Sequence, residues 1–122
     1  MHSILIVDDD FQLRNLLKEA LGQFNYSVLT AGDGSRALKI LNEVKIDFMI
    51  IDIIMPEKDG LEIIPEIRKK FPDIKIMAYS GGMEGLNPFL LTEMAAKLGA
   101  HCTLKKPFTL KDIIEKVGMF LN

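Results

Sequence analysis

The stretch Phe48-Met49-Ile50-Ile51-Asp52 decides the fold. Four apolar residues run without a polar break and end on a carboxylate. A strand with one wet face alternates, whereas an unbroken apolar run suits a central parallel strand covered on both sides. Working outward, residues 4–7, 27–31 and 74–78 are short apolar runs, each of strand length. Residues 101–104 form a weaker, more polar fifth run that suits an edge strand.

Between these runs the period changes to that of a helix. After Asp10, an N-cap candidate, Leu13, Leu16, Leu17, Ala20, Leu21 and Phe24 follow helical spacing, and Asn25 can take the left-handed position that ends the helix. Ala37, Leu38, Leu41 and Val44 mark a second helix opened by Asp33 or Ser35. Leu61, Ile64, Ile67 and Phe71 mark a third, in which Pro65 predicts a kink or an irregular first turn. Asn87-Pro88 opens a fourth that ends at Gly99, with Leu91, Met94, Ala95 and Leu98 expected to face the core. Thr109 and Asp112 form a capping box for the fifth, whose apolar face is Leu110, Ile113, Ile114, Val117 and Leu121. The order βαβαβαβαβα implies a parallel sheet with helices on both faces. Right-handed crossovers then favour an α/β, flavodoxin-like (βα)5 doubly wound sheet of five strands in the order 2-1-3-4-5.

Composition excludes several function classes. The 122 residues make one domain, 1–122, with 48% hydrophobic and 26% charged residues. Fifteen Lys+Arg against seventeen Asp+Glu give a net charge of −2, which argues against a nucleic-acid partner held by bulk charge. Cys102 is the single cysteine, so an internal disulfide and a multi-cysteine zinc site are excluded. His2 and His101 are too far apart in context to suggest a metal site. Without a membrane-length apolar run or a basic leader before Ile4, no membrane partner is expected and the expected setting is cytoplasmic.

In open α/β sheets, ligands bind beyond the carboxyl ends of the strands, at the switch point between strands 1 and 3. There the first strand delivers Asp8-Asp9-Asp10, the third Asp52, the fourth Ser80 followed by Gly81-Gly82, and the fifth Lys106-Pro107. Each alone is a common turn feature; converging at one end of neighbouring strands they define a candidate site. Two carboxylates ~4 Å apart repel by roughly 4 kcal/mol at an effective dielectric of 20. Gathering Asp8, Asp9 and Asp52 therefore calls for a cation. Lys106 supplies one charge and a divalent ion the rest; oxygen donors and an open site select Mg²⁺ over Ca²⁺ or zinc. An Asp carboxylate can act as nucleophile toward phosphorus, with Mg²⁺, the Lys106 ammonium and the Ser80 hydroxyl each taking a phosphoryl oxygen. Gly81 and Gly82 leave space for a donor.

The segments Ile4-Leu5-Ile6-Val7-Asp8-Asp9-Asp10, Ile51-Asp52-Ile53-Ile54-Met55-Pro56-Glu57-Lys58-Asp59-Gly60, Ala78-Tyr79-Ser80-Gly81 and Lys105-Lys106-Pro107-Phe108 carry a family likeness. The chain resembles, along its whole length, the receiver domain of two-component response regulators. The resemblance implies that Asp52 is the phosphoacceptor, and that Asp8 and Asp9 hold Mg²⁺ (or Mn²⁺) together with Asp52 and the backbone carbonyl of Ile54. It further implies that Ser80 is the switch hydroxyl, Lys106 the site lysine, and the Lys106-Pro107 peptide cis. Implied partners are a histidine kinase or histidine phosphotransfer protein and a downstream protein on the face of the fourth helix, fifth strand and fifth helix. The chain is expected to be a monomer or weak dimer, and no enzyme beyond its own phosphoryl uptake and loss.

Four departures stand out. Thr103 occupies a position usually aromatic in the family. Ile54 and Gly82 stand where polar residues often influence attack by water, so self-dephosphorylation is expected to be slow. Asp10 adds an acid. The sequence stops after the fifth helix, so the expectation is a stand-alone receiver or one cut from a longer protein. Output would then run through the surface, where Met83, Leu86, Phe89, Leu90 and Leu91 make the opening of the fourth helix apolar and Lys105 adds a basic rim. Among the rivals, a phosphohydrolase using the same nucleophile needs a second Asp two residues on, where Ile54 stands. A flavodoxin needs a phosphate loop where three aspartates would repel phosphate. A docking module that works without phosphorylation does not need the complete acidic site.

Overall fold

The structure, a computed structural model, describes residues 1–55, 59–80, 87–105 and 107–121. The elements alternate as expected: β1 (Ser3–Val7), α1 (Phe11–Gly22), β2 (Ser27–Ala31), α2 (Gly34–Glu43), β3 (Phe48–Asp52), α3 (Gly60–Lys70), β4 (Lys75–Ser80), α4 (Pro88–Leu98), β5 (Cys102–Lys105) and α5 (Leu110–Leu121). The strands form one parallel sheet in the order β2-β1-β3-β4-β5. β4 and β5 each run further toward their carboxyl ends than the apolar runs suggested, to Ser80 and Lys105. Pairing with the neighbouring strand, not side-chain apolarity, sets those ends.

Two apolar layers sandwich the sheet. One gathers Leu5, Val7, Met49, Ile51, Ile76 and Ala78 against α2, α3 and α4; the other gathers Ile4, Ile6, Phe48, Ile50, Met77 and Tyr79 against α1 and α5. Alternate residues of each strand thus serve opposite layers, which is why Phe48-Met49-Ile50-Ile51 carries no polar break.

The helix starts follow their caps. Asp10 accepts from the amides of Gln12 and Leu13, Asp33 from Arg36, Asp59 from Glu62 and Asn87 from Phe89. Thr109 and Asp112 cap each other reciprocally, at 2.8 and 3.1 Å. Asn25 has φ 67°, as its role after α1 requires, and Gly99 closes α4 at φ 128°.

Several face assignments need correction. Leu16 and Phe24 are exposed, because α1 turns its Leu13, Leu17 and Leu21 stripe to the core layer. Val44 is not inside α2 but caps it, with its side chain in solvent. In α3, Ile63 joins Ile64 and Ile67 in the core while Leu61 is only partly buried. That helix also runs unbroken through Pro65, which lies on the exposed face where water can satisfy the released carbonyl of Leu61. In α4, Leu91, Thr92 and Ala95 face the sheet, leaving Met94 and Leu98 41% and 37% exposed. Thr92 can occupy a core position because its hydroxyl donates to the Phe89 carbonyl at 3.0 Å.

Candidate functional site

Register assembles the acidic site. Ile6, Ile50 and Met77 lie side by side across β1, β3 and β4. Side chains repeat every two residues, so the next row on the same face is Asp8, Asp52 and Tyr79. Asp52 pairs directly with Tyr79, and the Asp8 amide donates to Ala31 of β2 at 3.1 Å. Carboxylate oxygens of Asp8, Asp9 and Asp52 come within 4.8 Å of one another. Asp8 is buried, Asp52 half-buried and Asp9 exposed, so the cluster has a closed floor and an open mouth.

Asp8 is the most buried of the three acids. It is 2% exposed; its Oδ1 accepts from the Asp10 amide at 2.8 Å and its Oδ2 from the Tyr79 hydroxyl. Burial raises its pKa above the ordinary carboxylate value, the charges of Asp9 and Asp10 add to this, and the two hydrogen bonds oppose it. The Tyr79 phenol is itself pushed up, first by burial and then by the Asp8 charge. From α1, the Arg14 guanidinium donates to the Asp8 carbonyl at 2.7 Å and fixes the backbone below the cluster. Asp52 Oδ1 accepts from the Ile54 amide at 3.1 Å. Gly60 packs under this turn: its amide donates to the Ile53 carbonyl at 3.0 Å, and a Cβ there would sit 2.9 Å from the Asp52 carbonyl oxygen.

Ser80 ends β4 fully buried, and among the described residues its hydroxyl has no hydrogen-bond partner. Lys106, Gly81, Gly82, Met83, Leu86 and Pro56 lie outside the described residues, as does the Lys106-Pro107 peptide. Thr103 is half-buried beside Ala78 on β5 and presents no ring there. Lys105 is exposed at the end of β5, with its Nζ 4.6 Å from the centre of the Phe89 ring. Phe89 and Leu90 are 55% and 53% exposed, so α4 carries an apolar outer stripe of Phe89, Leu90, Met94 and Leu98 edged by Lys105. Cys102 is half-buried and its thiol is pushed up to about 11 by burial, which leaves it protonated and unreactive at neutral pH. Asp10 serves as helix cap and is not part of the carboxylate cluster.

Tyr79 is the residue that sequence reasoning missed. Its signal was present: a phenol that directly follows an apolar strand run carries a polar tip that must find a partner once buried.

Fold and site together define a class: a doubly wound α/β domain with a carboxylate cluster at its switch point. The model of the response regulator receiver domain matches residues 4–118, and the chain belongs to that family. Among curated proteins it is 35% identical over 122 residues to the transcriptional regulatory protein CpxR of Klebsiella pneumoniae, covering 100% of this chain and 50% of that protein. It is also 35% identical over 120 residues to the DNA-binding transcriptional regulator NtrC of Azospirillum brasilense, covering 98% of this chain and 24% of that one. The chain thus spans half or less of these relatives. Among solved structures, a response regulator receiver domain protein from Clostridium thermocellum superposes with a TM-score of 0.89 at 30% identity, covering 100% of this chain and 95% of that one. The chemotaxis protein CheY4 of Vibrio cholerae gives 0.87 at 25% identity, covering 99% of both. No helix among the described residues is long and apolar enough to cross a membrane.

Proposed function

We propose that this receiver accepts a phosphoryl group on Asp52 from a phosphohistidine of a kinase or phosphotransfer protein. The observation that carries the reading is the cluster of Asp8, Asp9 and Asp52, three hard oxygen donors within 4.8 Å at the sheet's carboxyl edge. Those donors fit Mg²⁺ or Mn²⁺: they are oxygens, the mouth is open to water, and two neighbouring carboxylates with a third acid at 4.8 Å or less need a compensating charge. Asp8, Asp9, Asp52 and the Ile54 carbonyl would hold the ion, which neutralises charge on the transferring group when bound. An Asp52 oxygen forms the new bond to phosphorus as the phosphorus–nitrogen bond to the donor breaks; the donor imidazole keeps the electron pair and takes up a proton. Lys106 and Ser80 engage phosphoryl oxygens, and a phosphoryl oxygen would give the buried Ser80 hydroxyl the partner it lacks among the described residues. The chain catalyses only its own uptake and loss of phosphoryl, with slow loss because Ile54 and Gly82 cannot orient water.

Output runs through α4, β5 and α5, where Leu90 and the Phe89–Lys105 pair offer a contact surface. The domain itself contacts no nucleic acid; relatives named as transcriptional regulators support a role upstream of a DNA-directed output through protein contacts. It works in the cytoplasm as a monomer or weak dimer. The test is intact mass after incubation with acetyl phosphate, with and without Mg²⁺, beside Asp52→Asn. One phosphoryl adduct that needs both Mg²⁺ and Asp52 is expected. A folded protein that binds Mg²⁺ yet gains no mass from acetyl phosphate or a phosphorylated kinase, and binds no beryllofluoride, would refute it.

A further inference from the structure

We propose that Tyr79 is the positioning residue of the acidic cluster: its hydroxyl holds Asp8 in place, and its ring passes the state of the cluster to the start of α5. The inference rests on the metal-assisted reading above.

The geometry is specific to a tyrosine. β4 and β1 are separated by β3, so Tyr79 and Asp8 lie two strands apart. With strands ~4.8 Å apart, that gap is about 10 Å, which a phenol and a carboxylate leaning toward each other can close and shorter side chains cannot. The contact forms on the α1/α5 face, where Tyr79 is 1% exposed among Ile4, Ile50 and Ile113. A donor buried this deeply has one orientation, so it fixes the Asp8 carboxylate as well as pairing with it. Groups that hold ligating residues from behind typically alter metal affinity by 10–100-fold when removed.

The same ring reaches the other way. Phe108 meets Tyr79 edge to face, with centroids 5.2 Å apart and planes at 70°. Phe108 immediately precedes Thr109, whose hydroxyl and amide make the cap of α5. Asp8, Tyr79, Phe108 and the α5 cap are thus one contiguous chain of contacts. Reorientation of the Asp8 carboxylate must move a phenol wedged against Phe108, the residue just before the α5 cap. β5 offers no such ring, since Thr103 stands on the opposite face beside Ala78.

The chain lacks Trp and has two tyrosines, so Tyr26→Phe leaves Tyr79 as the sole source of tyrosine emission. A phenol hydrogen-bonded to a carboxylate is quenched by excited-state proton transfer, so its emission reads the bond directly. Mg²⁺ titrated into the Tyr26→Phe protein should change that emission with the dissociation constant that calorimetry gives. Tyr79→Phe should bind Mg²⁺ about tenfold more weakly. At saturating Mg²⁺, the amide resonances of Thr109 and Leu110 should shift in the wild type and not in Tyr79→Phe. Emission that stays flat while calorimetry records binding, or a Tyr79→Phe protein with unchanged affinity and unchanged α5 shifts, would overturn the inference and leave the proposed function standing. A folded wild-type protein that binds no Mg²⁺ would overturn both.

Discussion

Gly60→Ala should damage this protein out of proportion to one methyl group. Gly60 is the first residue of α3 and lies against the turn that carries Asp52. A Cβ there would stand 2.9 Å from both the Asp52 carbonyl oxygen and the Ile53 Cα, where ordinary contact begins at 3.4 Å. Both neighbours are backbone, so neither can swing aside; α3 must retreat from β3 by about half an ångström. That retreat stretches the 3.0 Å bond from the Gly60 amide to Ile53. Overpacking of this kind costs about 1–3 kcal/mol. At ~2.1 cal/mol/K of unfolding entropy per residue, each kcal/mol lowers the melting temperature of a domain this size by about 4 °C. A fall of about 4–12 °C in a circular-dichroism melt is expected, with phosphoryl uptake at Asp52 slowed about tenfold by displacement of the nucleophile. Gly22→Ala is the control. Nothing lies within 4 Å of its added Cβ, so the same exchange at the end of α1 should stabilise by up to ~1 kcal/mol. A Gly60→Ala protein that melts with the wild type or above it would refute the reasoning.

Asp8→Asn should stabilise the metal-free protein at neutral pH, because burial raises the Asp8 pKa and the ionised form is held at a cost. A raised folded-state pKa means that the penalty grows as pH rises above the unfolded value, so the gain over wild type should shrink as pH falls toward 3.8. Mg²⁺ at ten times its dissociation constant should stabilise the wild type by about 1.4 kcal/mol and Asp8→Asn much less, as melts with and without the ion will show. Ser80→Ala removes a buried hydroxyl that has no partner among the described residues and should raise metal-free stability by about 1 kcal/mol while slowing phosphoryl uptake; a lower melting temperature would contradict it. The His101 Nδ1 accepts from the Ile76 amide at 3.0 Å, and its pKa is lowered by burial and by Arg68 and Lys75. That stability is present above the unfolded His value and lost as pH falls through the folded one. Wild type should therefore lose melting temperature from about pH 7 to 5 more steeply than His101→Asn, which keeps an acceptor that does not titrate. Leu90→Glu should leave the melt unchanged, since Leu90 faces solvent, and abolish capture of the downstream protein; unfolding would return Leu90 to the core.

The sequence by itself determined the element order, the sheet and the carboxylates at its edge. These follow from local rules: apolar runs of strand length, helical spacing, Asp10, Asn87 and Thr109 as caps, and a parallel alternation that leaves few topologies. Asp8, Asp9 and Asp52 were legible because each lies at or within two residues of the end of such a run. Only the tertiary structure decided which helix faces are wet. The spacing of Leu91, Met94, Ala95 and Leu98 fits one stripe, but the sheet accepts Thr92 in place of Met94, since a hydroxyl bonded within its own helix can be buried. Leu16 and Phe24 repeat with Leu17 and Leu21, yet the face that α1 turns to the core is that of Leu13, Leu17 and Leu21. Register across β1, β3 and β4 likewise decided that Tyr79 belongs to the acidic site. A hydrogen bond joining residues 79 and 8 has no local trace, because it exists only once three strands are aligned.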